Sequence, residues 1–276
     1  MAGARRVNRT CRTQAGLALL AIGSQGKFTV ESLNDIRPGG WRARIGVIVP
    51  PSNTVNETEF NRLKPEGVTF HFTRSPLHRD PAADDFAEMM ADLEAAGTEL
   101  AACKVDLVAY GCTSGSMACP ADRLIGKLRH AAGVDAVSTA GAILAGLAAL
   151  GVARIAMATP YTAATNAHEK HYLEDHGIAV VADAGLGLNT ALAGIQKISR
   201  VPPAEVYAHA RAIDRPDAEA LLICCTDFNT IDVIEPLEEA LAKPVLTSIS
   251  ATLWAALRAV GIEDRIEGCG RLLREH

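Results

Sequence analysis

The sequence predicts an α/β protein of two pseudo-symmetric lobes, each built on a parallel sheet, with an active-site cleft between the lobes. Three observations predict it. Arg44-Ile-Gly-Val-Ile-Val-Pro50 recurs in outline as Arg154-Ile-Ala-Met-Ala-Thr-Pro160, 110 positions on. A second landmark, the apolar run ending in Cys112-Thr113, recurs as the run ending in Cys225-Thr226, 113 positions on. Between these runs the apolar residues recur at helical spacing, so short strands alternate with helices as in βα repeats. Two landmarks at nearly the same offset make an internal duplication the economical explanation.

The elements follow in order. Residues 1–40 read as a disordered or mis-started N-terminal extension. They carry Arg5, Arg6, Arg9, Arg12 and Lys27, with no acid before Glu31. The apolar run 15–22 gives the outline of a targeting peptide, but it is short, broken by Gly16 and lacks a clear cleavage site. Residues 37–41 form the last loop before the first lobe, 41–150. There, Arg44 to Pro50 is a buried strand ending in a breaker, and Val68-Thr-Phe-His-Phe-Thr73 is an alternating strand. Residues 84–104 place Phe86, Met89, Met90, Leu93 and Leu100 on one helix face. After the strand leading to Cys112, residues 120–132 make a helix opened by Pro and Asp. The uncharged stretch 140–153 is too short to span a membrane and reads as a buried helix. The second lobe, 151–276, repeats the scheme. It has the strand 154–160, a polar helix 165–176 stopped by Gly177, a short strand at 180–182, helices 203–212 and 234–242, the strand before Cys225 and a last strand at 244–247. Its C-terminal helix is expected to pack back on the first lobe.

Composition narrows the function. The chain has 276 residues, 49% apolar and 21% charged, enough apolar side chain to fold without staples. A net charge of −5 and only 4% aromatic residues argue against a nucleic-acid surface. No membrane partner is expected. The seven cysteines are odd in number and lack metal-ligand spacing. His168-Glu-Lys-His171 misses the zinc-protease spacing by one residue, Gly185-Leu-Gly stops short of a dinucleotide fingerprint, and there is no P-loop or serine elbow. The histidine segment reads as a solvated helix face. No cofactor and no metal are therefore expected, and the protein is expected to work in the cytoplasm as a homo-oligomer.

The chemistry concentrates at strand ends, where open parallel sheets bind their ligands. Cys112 and Cys225 each end a strand and precede Thr. Either alone reads more simply as core, but their matched placement puts them on opposite sides of one small ligand. Backbone N–H groups and helix termini there lower a thiol pKa, and a thiolate is both nucleophile and base. The pair should therefore react with alkylating agents before Cys103 and Cys224, which read as inert buried thiols. Cys224 points to the other face of its strand. Pro50-Pro-Ser52-Asn53-Thr54 and Pro160-Tyr161-Thr162 occupy equivalent strand ends. Their hydroxyls, amide and N–H groups suit a carboxylate, or serve as helix caps. Thr113, Ser114, Ser116, Thr226, Asn229 and Thr230 add donors. No Lys or Arg lies in these motifs, so neutral donors would hold the anion.

The ordered set I-V-P-P-S-N-T (48–54), G-C-T-S-G-S (111–116), A-T-P-Y (158–161), C-T-D-F-N-T (225–230) and K-P-V-L-T-S (243–248) resembles the maleate cis-trans isomerase and arylmalonate decarboxylase family of the aspartate/glutamate racemase superfamily. The resemblance covers about residues 44–262. It implies two flavodoxin-like lobes and cofactor-independent cysteine catalysis on a small dicarboxylate, of the maleate-to-fumarate type. By motif, Cys112 and Cys225 resemble the paired catalytic cysteines of maleate isomerases. Asn53, Tyr161 and Asn189 resemble carboxylate-binding residues. Thr113 and Ser114 match pocket hydroxyls of the decarboxylases, and Thr226 joins the substrate-binding set. The alternatives are a two-cysteine racemase of an acidic amino acid, an arylmalonate-type decarboxylase, or a relative of ectoine-catabolism enzymes. The decarboxylases lack the first cysteine, so Cys112 counts against that activity. One departure is Ile249-Ser250, where many relatives have Asn-Gln.

Overall fold

The structure is a computed structural model that describes residues 36–276 apart from Arg79 and Ala191. Most of the N-terminal extension read from the sequence, with its arginines, the apolar run 15–22 and Cys11, lies outside the described residues.

The first half contains β1 (Ala43–Val49), α1 (Asn56–Leu63), β2 (Val68–Arg74), α2 (Ala87–Ala102), β3 (Leu107–Tyr110), α3 (Thr113–Ala118), α4 (Ala121–Ala132), β4 (Asp135–Ser138) and α5 (Thr139–Ala149). The second contains β5 (Arg154–Thr159), α6 (Ala163–Asp175), β6 (Ala179–Gly185), α7 (Leu192–Ile198), α8 (Pro203–Ile213), β7 (Ala220–Ile223), α9 (Ile234–Leu241), β8 (Val245–Thr247), α10 (Ser248–Ala259) and α11 (Arg271–Glu275). Each half forms one four-stranded sheet, of order β2-β1-β3-β4 and β6-β5-β7-β8, and every described pairing is parallel. The second order is the first shifted by four strands, as a duplication requires. Among the described residues no helix is long and apolar enough to cross a membrane.

The strands are near-continuous apolar runs because helices cover both faces of each sheet. On one face of the first sheet, Leu93 and Leu100 of α2 and Leu124 and Leu128 of α4 pack with Ile48 and Val108. Gly46 of β1 makes room for α2, since a Cβ there would lie 2.9 Å from Leu100 Cδ1. On the other face, Phe60 of α1 joins Ile249, Leu253 and Leu257 of α10 and Leu273 of α11. The C-terminal helices thus cross to the first sheet. In exchange, Ile143 and Leu147 of α5 pack into the core of the second. Each such Leu or Ile removed from water contributes about 1.5–3 kcal/mol, so the exchange binds the halves together.

The structure corrects several element bounds. The expected helix 84–104 is split. Residues Pro81–Asp84 make a single 3₁₀ turn, Asp85 and Phe86 take left-handed backbone at φ 55° and 66°, and α2 starts at Ala87. Cys103 therefore follows the helix end and is exposed, not buried as its apolar neighbours suggest. The polar helix α6 has exposed histidines at 168 and 171, with His176 exposed just past its end, yet Asn166, Glu169 and Leu173 are buried.

Candidate active site

β3 and β7 deliver the two cysteines. Cys112 leaves β3 in extended backbone and stands at the N-terminus of α3. Cys225 follows β7 with φ 96°, a conformation that strains any side chain with a Cβ. Several contacts hold it there. Its N–H donates to Ser248 Oγ at 3.0 Å, and the Asp227 N–H donates to its Sγ at 3.4 Å.

The two ends are tied to each other across the halves. Thr226 Oγ1 donates to the Gly111 carbonyl at 2.8 Å, and Thr113 Oγ1 donates to Ser248 Oγ at 2.8 Å. The threonine after each cysteine thus braces the strand end of the other half. Glu59 of α1 reaches across as well, accepting from the N–H groups of Thr230 and Ile231 beyond Cys225.

A small cavity of about 80 Å³ opens between these ends. It is lined by Asn53, Cys112, Thr113, Ser114, Tyr161, Asn189, Cys225 and Thr226, the two cysteines and six substrate-binding candidates read from the sequence, together with Pro50, Ser52, Asp227 and the apolar Leu77, Ile195 and Ile198. Its size suits a small acid. Among the described residues, no group of three or more His, Cys, Asp or Glu side chains converges as a metal site requires.

Some of these residues spend their polar atoms on structure. Asn53 Oδ1 accepts from the N–H groups of Val55 and Asn56 at the entry of α1, and its Nδ2 donates to Thr226 Oγ1. Asn189 Oδ1 accepts from Thr162 N–H, and its Nδ2 donates to Thr165 Oγ1. Three other expected donors do not reach the cavity. Ser116 bonds Thr113 O and Ala140 N, Asn229 bonds the carbonyls of Ser199 and Val201, and Thr230 pairs with Glu59.

The electrostatics differ from the sequence expectation. Both cavity thiols are pushed up from the ordinary thiol range, not down, because burial penalises the thiolate more than the strand-end donors favour it. The two are not equivalent. Cys112 has three groups favouring its thiolate: the Gly115 N–H and the hydroxyls of Tyr110 and Ser114. Cys225 has the Tyr161 hydroxyl and the Asp227 N–H, but the Asp227 carboxyl opposes its ionisation; Glu169 opposes that of both thiols. Cys224, expected in the core, is buried beside Glu169 and outside the cavity lining.

Tyr110, Ser248, Asp227 and Glu169 were not singled out from the sequence. A signal for one of them was there. Asn56-x-x-Glu59 recurs as Asn166-x-x-Glu169 at the same 110-residue offset as the first strands. Both pairs are buried on the helix after the first strand of their half.

A family model described as arylmalonate decarboxylase matches residues 45–273. The chain is 29% identical to the maleate isomerase of Nocardia farcinica over 245 residues, 84% of this chain and 96% of that one. It is 32% identical to the arylmalonate decarboxylase of Bordetella bronchiseptica over 151 residues, 54% of this chain and 61% of that one. Among solved structures, it superposes at a TM-score of 0.76 and 28% identity on a cysteine-to-serine variant of the Nocardia farcinica maleate cis-trans isomerase carrying a covalently bound succinylcysteine intermediate, covering 85% of this chain and 99% of that one.

Proposed function

Because the chain belongs to the arylmalonate decarboxylase family, we propose that it is a cofactor-independent cis-trans isomerase of a small dicarboxylate, of the maleate-to-fumarate type. The two lobes, 41–150 and 151–276, each supply one catalytic cysteine. The observation that carries this reading is the unequal surroundings of two thiols lining one cavity.

The donors around Cys112 favour its thiolate against the burial that raises it, so Cys112 is the nucleophile, its own proton passing to a carboxylate of the entering substrate and returning to the sulfur at the end of the cycle. Its sulfur bonds one alkene carbon while the π electrons move to the neighbouring carbon, which takes the proton of Cys225. The carboxyls near Cys225 keep that proton on sulfur until it is needed. The new C–C single bond rotates. Cys225 thiolate then removes the proton, the double bond re-forms in the trans geometry, and Cys112 leaves as thiolate. Ser114 at one end, with Tyr161 and the second amide hydrogens of Asn53 and Asn189 around the rest, position the carboxyl groups, while Thr113 and Thr226, whose hydroxyl protons go to Ser248 and Gly111, shape the walls. Backbone N–H groups supply further donors. The thiol-adduct relative lends the step its chemical precedent.

The test is conversion of maleate to fumarate followed by proton NMR, with Cys112→Ser and Cys225→Ser as controls. Turnover lost in both variants is expected. Wild-type turnover in either variant contradicts the mechanism. Carbon dioxide release from a disubstituted malonate, or solvent deuterium entering Cα of aspartate or glutamate without maleate turnover, would replace this reading by decarboxylation or racemisation.

A further inference from the structure

Asp227 stands two residues past Cys225, as Ser114 stands two residues past Cys112, and both line the cavity. The duplicated strand ends therefore offer different chemistry at matched positions, a hydroxyl at one and a carboxyl at the other. Asp227 is only 6% exposed. Its Oδ1 accepts from the N–H groups of Thr54 at 2.7 Å and Val55 at 3.3 Å. Its Oδ2 is buried and has no hydrogen-bond partner among the described residues. Arg74 and Arg200 attract the carboxylate without bonding Oδ2. Arg74 is engaged with the carbonyls of Pro50 and Asn53 and with Glu57. The other ionisable neighbour, Cys225, holds its proton. A buried carboxylate oxygen without a donor is costly, and a ligand that brings the donor recovers that cost.

We propose that Asp227 sets the specificity of the cavity, and that the ligand presents a hydrogen-bond donor to its Oδ2 while an ionised carboxylate lies at the Ser114 end. The inference rests on reading the cavity as a substrate site and narrows the ligand to a net monoanion, a maleate-type dicarboxylate entering as its half-protonated form. A dianion with two equivalent carboxylates would place one of them against Asp227, and two such groups cannot both stay ionised at contact. An amide or an ammonium group fits, and so does a carboxyl that keeps its proton. Burial has already raised Asp227 to about 6, in keeping with a group that shares a proton.

Calorimetric titration at pH 8 tests this with three probes: maleate, its monoamide maleamate, and aspartate. Wild-type protein should bind the monoamide or aspartate at least about tenfold tighter than maleate, and the better of the two says whether the donor is amide or ammonium. Asp227→Asn keeps an Oδ1 acceptor for Thr54 and Val55 but turns the second position into a donor. It should shift the preference toward maleate by at least about tenfold. The ratio between ligands is read on folded protein alone, so partial misfolding of the variant does not mimic it. Equal affinities in the wild type, an unchanged ratio in Asp227→Asn, or no binding of any probe overturns the proposal. Turnover is read separately. The predicted ratios without isomerisation would remove the isomerase reading and leave Asp227 standing, whereas isomerisation without discrimination would do the reverse.

Discussion

Cys112 and Cys225 occupy matched positions in matched lobes, yet their neighbours push them toward different work. Three donors surround the Cys112 sulfur, while Asp227 faces Cys225, and Glu169 opposes the ionisation of both. Burial pushes both thiols up, and alkylation reads this directly. With iodoacetamide at neutral pH, peptide mass spectrometry should find exposed Cys103 labelled first and Cys112 and Cys225 at least about tenfold more slowly, because reactivity follows thiolate fraction and access. Labelling of Cys225 ahead of Cys103 would contradict the assigned environments. The cysteine pair was legible in the sequence because two motifs repeated at one offset. Their ionisation was not, because strand-end dipoles can be read from a motif and the depth of burial cannot. Cys103 was misread for the opposite reason: its neighbours are apolar, but the helix stops one residue before it.

Element by element, the strands and most helices follow from apolar runs and periodicity. What escaped was set by tertiary packing. α10 carries Ile249, Leu253 and Leu257 onto the sheet of the other half, a destination no local pattern encodes. The short helix α3 shows how an element shapes the site. A Cβ at Gly115 would collide with the Tyr110 hydroxyl and approach Cys112 Sγ to 3.0 Å. Gly115 also supplies an N–H to that sulfur. Gly115→Ala should therefore displace Tyr110 or Cys112 at a cost of about 1–3 kcal/mol in stability. Maleate turnover should fall more than substrate affinity, because the displaced group serves the reacting atoms. Steady-state kinetics beside a denaturation curve checks this, and unchanged kcat would show that α3 does not position the nucleophile.

At the scale of the whole molecule, the duplication explains both the symmetry and where it fails. Glu59 and Glu169 are buried at equivalent places. Glu59 finds the N–H groups of the loop after Cys225, whereas neither oxygen of Glu169 has a well-formed hydrogen bond among the described residues. On the Cys112 side the following residues form α3, whose Gly115 and Ser116 N–H groups turn to the Cys112 sulfur and carbonyl. Burial accordingly raises Glu169 to about 8. The sign of the consequence is fixed by linkage. The folded protein binds a proton here that the unfolded chain releases near the usual carboxylate pKa, about 4.3. This contribution is fully present below that value and is lost as pH rises toward about 8. Glu169→Gln should flatten the decline in stability over that window by a few kcal/mol, measured by urea unfolding at a series of pH values. An unaltered profile would mean that Glu169 is ionised and paired. The two-lobed fold was legible from the repeats and much of the cavity lining from the repeats and motifs together, while this buried acid was carried only by the Asn-x-x-Glu echo of the first half, since nothing else on a polar helix marks a Glu as facing inward. The central claim is that Cys112 bonds the substrate from one lobe while Cys225 moves its proton from the other. Mass spectrometry of Cys225→Ser incubated with maleate tests it most directly, because a proton relayed from water through the serine hydroxyl leaves that hydroxyl neutral, too weak a base to take the proton back from the adduct. The account predicts a gain of one dicarboxylic acid, localised to the peptide bearing Cys112 and absent from Cys112→Ser; an unmodified Cys112, or the same mass on another cysteine, would contradict it.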